Sequence, residues 1–585
     1  MTSETAHILQ WENIVVKSRD KSKKIILSNV SGSAKSGEML TIMGSSGAGK
    51  STLLNVLAKR NLKRIEVDGV IKFDGAHFED KQCVHHAGYI QQSDYFMSSL
   101  TVREHLRFQA KMVLGQFDES LIEEKLQQMG LQNCADNLIG DPHSSQRISG
   151  GESKRLAIAT EMLSDPMIIF ADEPTSGLDA YMADAVTKIL KKLAENGAIV
   201  ITTIHQPSVD IFNRMDSIFL LSLGKVIYNG SNSELQNYLI SIGKPILGGN
   251  MADHIINITS YSDFSSDDFN VNLQFHQNKI ETMHRQFIDS DAYAATQQDI
   301  RETTKQCALT ANVVMEGKTH ASKFLVFLTL LHRTTLDQFR DKEFKAKCIQ
   351  HLVTALVVGA IFMRTPWSEK INPYLTKVRF KGEITYFKWF IQDVFNINGA
   401  ILILVVFFSF AFVYLVIYKF PQMKNLLRRE HYNGLYPIYL VYSAEIVSGL
   451  PFNIIMPLIF STFFKLSFIR FNIVSPVSIT YFMVGFAPYV NAFFQIYLNF
   501  LLVSLCASGF GYVISAIAPS PQWASSIAPP LITPLFIFCG VVVKLDTLPP
   551  YIQWLKYLSW FYYGARVVHV FRNCRLLSLE YAASV

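Results

Sequence analysis

The chain divides into two halves by its pattern of hydrophobic and polar residues. Up to about residue 322, short apolar runs alternate with polar segments, and from about residue 324 to residue 573, long uncharged runs of Leu, Ile, Val, Phe and Tyr dominate. Short apolar runs between helical patterns predict an α/β core, whereas apolar runs of about 20 residues predict membrane spans. A chain of 585 residues is long enough for at least these two domains.

The first half alternates predicted strands with predicted helices. Strands are expected at 14–16, 25–27, 39–43, 167–170 and 198–204, and helices at 51–59, 121–129 and 181–195. This alternation predicts a parallel sheet covered by helices.

The second half contains five candidate membrane spans. They are 348–363, 398–418, 438–466, about 493–518, and 523–543. The stretch 479–518 is too long for one span, and the sequence Gly485-Phe-Ala-Pro488 predicts a re-entrant or interfacial piece before the fourth span. Residues 551–571 are rich in Trp and Tyr, which predicts an interfacial or re-entrant helix because these side chains gather at the head-group level.

The distribution of charge favours a membrane protein, and the cysteine usage favours a soluble half that faces the reducing cytosol. Basic residues flank the first span and separate the second from the third, so the net charge of +6 suggests contact with anionic lipid head groups and not with nucleic acid. The seven cysteines show no zinc-ligand spacing. Residues 1–10 lack the pattern of a cleavable signal peptide, so the first span is expected to direct insertion.

A phosphate-binding loop follows the strand at 39–43. The pattern G-x-x-x-x-G-K-[ST], extended by one residue, is formed by Gly44, Ser45, Ser46, Gly47, Ala48, Gly49, Lys50, Ser51 and Thr52. Backbone N–H groups and a helix N-terminus surround the β-phosphate in such loops, and glycine lets the backbone come that close. Alone, this loop would not separate a kinase from a GTPase or a transporter, but the long apolar half makes a soluble kinase remote.

Four further side chains are predicted to form an ATP-hydrolysing site together with the phosphate loop. Ser51 and Asp172 are predicted to hold Mg²⁺, and Glu173 is placed to polarise the attacking water. His205, after the strand at 198–204, is expected near the γ-phosphate, and Gln92 is expected to sense Mg²⁺. Each residue alone has a structural interpretation, but this order and spacing together predict a nucleotide site.

The motifs as a set resemble a known family. The stretches Tyr89-Ile-Gln-Gln92, Ile148-Ser-Gly-Gly-Glu-Ser-Lys-Arg155, Phe170-Ala-Asp-Glu-Pro-Thr-Ser-Gly-Leu-Asp179 and Ile204-His-Gln-Pro-Ser208 are similar to those of the G subfamily of ABC transporters, and in particular to White-type half-transporters of eye-pigment precursors. In the membrane half, Arg429-Glu-His-Tyr-Asn-Gly-Leu-Tyr436 and Tyr557-Leu-Ser-Trp-Phe-Tyr-Tyr-Gly564 resemble the same family.

The resemblance implies a fold and a mode of action. The fold is multidomain, with an N-terminal α/β P-loop ABC ATPase domain followed by an all-α transmembrane domain of the ABC-2 type. The family implies a head-to-tail homodimer or heterodimer, in which ATP and Mg²⁺ at the phosphate loop of one chain are closed by the other. The closing residues are Ser149, Gly150, Gly151, Glu152 and Asp179. Residues 428–436 would carry motion between membrane domain and ATPase.

These expectations give domain boundaries. We expect a nucleotide-binding domain at 1–261, a polar and partly helical connector at 262–322, an amphipathic connecting helix at 323–345, a transmembrane domain at 346–573 and a short tail at 574–585. The ATPase domain would be cytosolic, with the spans in the plasma membrane or a vesicle membrane. Glu445 lies at about membrane depth, as a functional group or near the cytoplasmic end. A substrate cavity is expected near 407–414 and 531–538.

The expected function is ATP-driven export of small lipophilic or aromatic compounds, such as pigment precursors, sterols or other lipids, or xenobiotics. Two departures from the family are visible. The loop at 365–393 is longer than the family's short turn, and Val585 precedes the position of a sixth span. An incomplete gene model would explain the second departure. The alternative is a short form that binds ATP and a full-length partner and regulates without transporting.

Overall fold

The computed structural model describes residues 7–21, 23–78, 86–140, 147–246, 250–260, 269–310, 321–361, 384–462, 490–540, 542–543, 545 and 548–566. The chain forms two compact units. The first unit comprises residues 1–330 together with 428–440, and the second comprises 331–427 together with 441–585.

The first unit contains two β-sheets. The strands are β1 (Ile8–Ser18), β2 (Ile25–Lys35), β3 (Met39–Met43), β4 (Ile65–Phe73), β5 (Ala76–His77), β6 (Ala87–Ile90), β7 (Ile168–Asp172), β8 (Ile199–Thr203), β9 (Ser217–Ser222) and β10 (Lys225–Ser231). The smaller sheet is antiparallel in the order β2-β1-β4-β5, and the larger has the order β10-β9-β3-β8-β7-β6.

The larger sheet is parallel except at β10. Every residue of β3 and β8 is buried, as expected for strands covered on both faces. In a parallel sheet, neighbouring strands end at the same edge, and here Asp172 at the end of β7 pairs in register with Thr203 at the end of β8. This edge therefore collects the loops that follow β3, β7 and β8.

Helices cover the strands of the first unit. They are α1 (Lys50–Leu57), α2 (Val102–Leu114), α3 (Glu119–Gln128), α4 (Gly150–Met162), α5 (Ala180–Glu195), α6 (Val209–Phe212), α7 (Leu235–Ser241), α8 (Met251–Thr259), α9 (Phe269–Ile288) and α10 (Asp291–Thr310). The strand–loop–helix succession predicted around residues 39–59 is present as β3, the loop and α1.

Helices α9 and α10 occupy most of the predicted polar connector and pack against β10. His284 Nδ1 lies 2.7 Å from the carbonyl oxygen of Val226, and the Thr296 hydroxyl donates to the carbonyl oxygen of Asn229 at 2.9 Å. The aromatic ring of Phe287 packs beside Tyr228. The polar composition of this segment reflects helices with one face on the sheet and one in solvent.

The second unit is built from helices. After α11 (Lys323–Arg340), which crosses the boundary between the units, come α12 (Lys342–Ile361), α13 (Ile384–Tyr432), α14 (Ile438–Thr462), α15 (Val490–Ile517), α16 (Pro521–Ile537) and α17 (Pro550–Gln553). Within the described residues, three segments are long and apolar enough to cross a membrane, namely Leu402–Tyr432, Ile438–Pro457 and Phe494–Ile517. They correspond to the second, third and fourth predicted spans.

Helix α13 contains the predicted span at 398–418 and is much longer than that span. It runs for 49 residues and continues through Pro421 to Tyr432. Apolar composition marks the part of a helix that suits a bilayer, but the intrahelical hydrogen bonds continue into the polar residues beyond it. Pro421 removes only its own N–H from the ladder, and a long helix tolerates that loss at the cost of a local bend.

An interfacial or re-entrant helix was predicted over 551–571. Within the described residues 551–566 this helix is interrupted, so the prediction of one continuous helix was wrong. Helix α17 is followed by a 3₁₀ segment, Trp554–Leu558, and Ser559 is extended before a second helical stretch begins at residue 560. The Ser559 hydroxyl donates to the Leu535 carbonyl oxygen at 2.6 Å, and Trp560 Nε1 donates to the Ser409 hydroxyl at 3.0 Å. These two tertiary hydrogen bonds favour the break, which aromatic composition alone does not reveal.

A core of apolar side chains joins the helices of the second unit. Phe408 and Phe412 of α13 are fully buried in it and pack with Phe500 and Phe452 of the neighbouring helices. Phe408 and Phe412 lie within the stretch 407–414, near which a substrate cavity was expected, and their burial assigns them to packing. The predicted break at 485–488, most of the loop at 365–393 and the tail at 574–585 lie outside the described residues.

Candidate functional site

The phosphate loop leaves the end of β3 and enters α1 through residues that only glycine suits. Gly44 has a φ of +146°, and a Cβ there would lie 2.0 Å from the carbonyl oxygen of Leu221. Gly49 has a φ of +102°, and a Cβ there would lie 2.6 Å from Leu27 Cδ2. The two glycines therefore let the loop pass close to its neighbours and turn the backbone into the N-terminus of α1.

Lys50 is the first residue of α1, and its side chain folds back over the loop. Its Nζ donates to the carbonyl oxygens of Gly44 at 2.8 Å and Ser45 at 3.0 Å. Burial lowers the pKa of Lys50, while the carboxylates of Glu173 and Asp172 act in the opposite direction. The ammonium thus lies beside the loop and two acidic groups, where phosphate oxygens of a nucleotide would meet it.

A connected set of hydrogen bonds holds Asp172, which was predicted to bind Mg²⁺, and Glu173, which was predicted to polarise the attacking water. The Ser51 hydroxyl donates to Asp172 Oδ1 at 3.0 Å, and the Thr203 hydroxyl donates to the same oxygen at 2.8 Å. The backbone N–H of Glu173 donates to the Thr203 hydroxyl at 2.8 Å, and Gln92 Nε2 donates to Glu173 Oε2 at 2.7 Å. The structure therefore brings together Ser51, Asp172, Glu173 and Gln92, as the sequence predicted.

These oxygen donors fit a magnesium ion. Mg²⁺ prefers a few protein oxygens together with phosphate oxygens and water, and does not need a cage of several carboxylates. Ser51 and Asp172 share one side of the loop, and Gln92 supplies an amide oxygen from another loop. The described residues contain no group of three or more His, Cys, Asp or Glu side chains that could hold a metal ion by themselves.

His205 stands at the same edge of the sheet without joining this set. It follows β8 by two residues and is half-buried, and its ring makes no hydrogen bond within the described residues.

The stretch Ser149–Glu152 forms the N-terminus of α4. Ser149 caps the helix, because its hydroxyl accepts from the Glu152 N–H at 3.2 Å while its own N–H donates to Glu152 Oε2 at 2.7 Å. Partial burial opposes ionisation, yet the interactions with Ser149 hold the pKa of Glu152 below its ordinary value. In the part of the chain that the structure describes, no hydrogen bond links this stretch to the phosphate loop.

Asp179 also belongs to the group around α4. It caps α5 by accepting from the Met182 N–H at 2.8 Å, and a Cβ on Gly151 would lie 2.6 Å from Met182 Sδ. Ser149, Gly150 and Asp179 are exposed. One chain therefore presents two separate surfaces, the phosphate loop with its acidic pair and the capped start of α4.

The turn after α13 packs into the first unit. Asn433 Nδ2 donates to Glu161 Oε1 at 2.9 Å, and Arg60 Nη2 donates to Asn433 Oδ1 at 2.6 Å. Gln109 Nε2 donates to Glu430 Oε1 at 2.7 Å. Residues 428–440 are thus bound to the unit that carries the phosphate loop, through buried polar groups.

One of these partners, Arg60, leads toward the nucleotide site. Arg60 Cζ lies 4.7 Å from the centre of the Tyr89 ring, and the Tyr89 hydroxyl donates to Asn55 Oδ1 at 3.3 Å. Asn55 in turn donates to the carbonyl oxygen of Ser51 at 2.7 Å. The side chains of Arg60, Tyr89 and Asn55 therefore connect the turn at Asn433 with Ser51.

Sequence reasoning missed several residues of the site. Thr203 joins Asp172 to Glu173, and its signal was only a hydroxyl at the end of a buried strand. Lys154 was quoted within a motif, but nothing in the sequence showed that its ammonium reaches the loop that carries Gln92.

The second unit contains a cavity of about 300 Å³ between α13, α14 and α15. Its lining includes Lys419, Glu445, Asn453, Ser508 and Tyr512. Glu445 is 4% exposed, and one of its carboxylate oxygens has no hydrogen-bond partner within the described residues. The acidic residue singled out in the sequence is therefore buried in a cavity wall.

Comparison with known families matches both halves of the chain. The family described as ABC transporter matches residues 27–176, and the family described as ABC-2 type transporter matches residues 326–570. The first match contains the phosphate loop, Gln92 and the acidic pair, and the second contains the described helices α12 to α16.

Individual relatives cover nearly the whole chain. ABC transporter ATP-binding protein/permease wht-1 of Caenorhabditis elegans is 31% identical over 96% of this chain and 79% of its own length. Protein white of Drosophila melanogaster is 32% identical over 93% of this chain and 74% of its own length. ABC transporter G family member 7 of Arabidopsis thaliana is 29% identical over 94% of this chain and 72% of its own length.

Proposed function

Because the chain belongs to the White-type half-transporters of the ABC transporter G subfamily, in which an ATP-hydrolysing domain precedes a membrane domain, we propose that it dimerises to export small lipophilic or aromatic compounds across a membrane. The observation that carries the proposal is the hydrogen-bonded set of Ser51, Asp172, Thr203, Glu173 and Gln92 beside the phosphate loop.

Each residue has a defined task in hydrolysis. The loop N–H groups and Lys50 bind the phosphates, and Lys50 neutralises charge on the β- and γ-phosphoryl oxygens. Ser51, Asp172 and Gln92 would hold Mg²⁺, which would supply positive charge to offset that of the phosphates. Glu173 orients the water and accepts its proton as the oxygen attacks the γ-phosphorus and ADP leaves. His205 donates to a γ-phosphoryl oxygen from the end of β8.

The exposed start of α4 supplies the second surface of the site. Ser149 and Gly150 are exposed at the N-terminus of α4, and a helix N-terminus favours an anion. Within the described residues, no hydrogen bond joins them to the phosphate loop of the same chain, and we propose that they close the ATP of a second chain, arranged head to tail, with Asp179 at the same interface.

The candidate cargoes follow from the resemblance to White-type half-transporters. They are pigment precursors, sterols or other lipids, and xenobiotics. We propose a multi-pass arrangement in the plasma membrane or a vesicle membrane, with the ATPase on the cytosolic side.

The test uses the full chain in proteoliposomes with Mg²⁺ and ATP. Wild type should hydrolyse ATP and move at least one candidate compound. Glu173→Gln should bind ATP yet hydrolyse it about 100-fold more slowly, because an amide cannot accept the proton. Equal hydrolysis by both proteins would refute the catalytic assignment. Hydrolysis without movement of any candidate, alone or with a related chain, would refute the exporter and fit a regulatory subunit.

A further inference from the structure

Lys154 is a charged side chain in a setting where proteins seldom place one. It lies on α4, five residues after the Ser149 cap, and is 3% exposed. Lysine is almost never fully buried unless its ammonium is paired, so a buried lysine must have its protons satisfied.

All three ammonium protons of Lys154 go to one loop. Nζ donates to the carbonyl oxygens of Gln91 at 3.1 Å and Gln92 at 3.0 Å, and to Asp94 Oδ1 at 2.9 Å. The neighbouring Ser153 hydroxyl donates to the other Asp94 oxygen at 3.2 Å. Helix α4 is therefore attached to residues 91–94 by four hydrogen bonds within a small area.

The same loop reaches the hydrolytic carboxylate. While Lys154 holds the backbone carbonyl of Gln92, the Gln92 side chain donates to Glu173 Oε2 at 2.7 Å. Any rearrangement of Gln92 that accompanies binding of Mg²⁺ and ATP must therefore be followed by α4 or must break the bonds to Lys154.

The start of α4 makes no hydrogen bond to the phosphate loop of its own chain within the described residues. It is a capped helix of 13 residues, so a movement of Lys154 is passed to Ser149 as a movement of a rigid rod. The inference rests on the head-to-tail dimer proposed above, in which this end of α4 contacts the ATP bound by the second chain. One helix then connects two ATP sites.

We propose that Lys154 is a positioning residue that couples the two ATP sites of the dimer. Binding of ATP in one chain determines the position of its Gln92 loop. This loop positions Lys154 and α4, and α4 in turn positions Ser149 at the ATP of the second chain. A role confined to supporting Gln92 would act only on the chain that carries Lys154, whereas coupling acts on the other chain as well.

The test measures this action across the dimer. Two differently tagged full chains are co-expressed and mixed dimers are purified through both tags. The first chain carries Glu173→Gln, so that only the phosphate loop of the second, wild-type chain hydrolyses ATP. Adding Lys154→Met to the first chain should lower the remaining hydrolysis about tenfold, within the usual range of coupling between sites.

A matched control removes another lysine–aspartate pair of the same unit. Lys191 of α5 pairs with Asp216 and lies away from the Gln92 loop. Lys191→Met in the first chain should leave the rate unchanged. Lys154→Arg should restore part of it, because a guanidinium keeps the charge and several donors. Binding of a fluorescent ATP analogue to the mutated chain should change less than about twofold, which excludes misfolding.

An unchanged rate with Lys154→Met, or an equal loss with Lys191→Met, would overturn the coupling role. Failure to obtain mixed dimers would instead refute the dimer on which the inference rests, and full activity with Glu173→Gln in both chains would refute the catalytic assignment of Glu173. These failures are therefore distinguishable.

Discussion

At the scale of single residues, the site depends on small polar groups that join the motif residues. The Thr203 hydroxyl accepts from the Glu173 N–H and donates to Asp172, so one oxygen atom positions both acidic residues. Glu173 has a φ of +44°, an unusual value for a residue other than glycine, and its bond to Thr203 helps to hold that backbone.

Replacing Thr203 by valine tests this role. Valine has nearly the same shape but no hydroxyl, so Asp172 and Glu173 lose a shared partner and kcat for ATP hydrolysis should fall about tenfold with little change in ATP affinity. Steady-state hydrolysis against ATP concentration measures both quantities.

The neighbouring residue offers a matched control. Thr202 lies on the same strand and is equally buried, but its hydroxyl has no hydrogen-bond partner within the described residues. Thr202→Val should therefore keep full activity and leave the protein at least as stable as wild type. Equal losses in the two variants would show that the hydroxyl of Thr203 is not the important group.

At the scale of elements, α13 and the turn that follows it belong to both units of the chain. The apolar part of α13 lies in the second unit, while residues 428–440 are bound into the first. Asn433 is the central residue of the turn, since its amide bridges the carboxylate of Glu161 and the guanidinium of Arg60.

Asn433→Ala should weaken this attachment. It removes two hydrogen bonds to charged groups, so the free energy of unfolding should fall by about 2–3 kcal/mol. Thermal unfolding of the detergent-solubilised full chain measures the change. Asn257→Ala, at an exposed position of α8, should stay within about 0.5 kcal/mol of wild type. Equal stability of the two variants would contradict the role assigned to the Asn433 amide.

At the scale of the whole molecule, one chain carries two incomplete surfaces. The phosphate loop with its acidic pair and the capped start of α4 make no hydrogen bond to each other in the described part of the chain. A head-to-tail dimer would combine each surface with its counterpart on a second copy.

Mixing two inactive variants tests this arrangement. Lys50→Ala disables the phosphate loop, and Ser149→Arg disables the start of α4, so each homodimer should be inactive. A mixed dimer would keep one intact site, formed by the loop of the Ser149→Arg chain and the α4 of the Lys50→Ala chain. Co-expression should therefore recover about a quarter of the wild-type hydrolysis, because half of the dimers are mixed and each has one of two sites.

The recovery is measured as Mg²⁺-dependent hydrolysis in membranes that contain both chains. Co-expression of Lys50→Ala with Lys50→Ala,Ser149→Arg is the matched control and should recover nothing, because no intact loop is present. Absence of recovery in the first mixture, with dimers present, would exclude a site shared between chains.

The sequence was sufficient for the contiguous parts of the molecule. A phosphate loop is a local structure, and its glycines, lysine and serine specify it within nine residues; the alternation of apolar runs likewise indicated the sheet strands β3, β7 and β8 to within one or two residues. Strand ends that meet at one edge of a parallel sheet also made the meeting of Ser51, Asp172 and Glu173 predictable.

Tertiary structure alone decided the features in which distant residues exchange hydrogen bonds. The break at Ser559, the bond of Asn433 to Glu161 and the three bonds of Lys154 depend on partners 24, 272 and up to 63 residues away. Periodicity and composition describe a residue's neighbours along the chain, whereas the pairing of a buried polar group depends on which donor or acceptor the fold places beside it. The sequence by itself thus determined that an ATPase domain precedes a membrane domain, and the fold decided which distant residues are joined by hydrogen bonds.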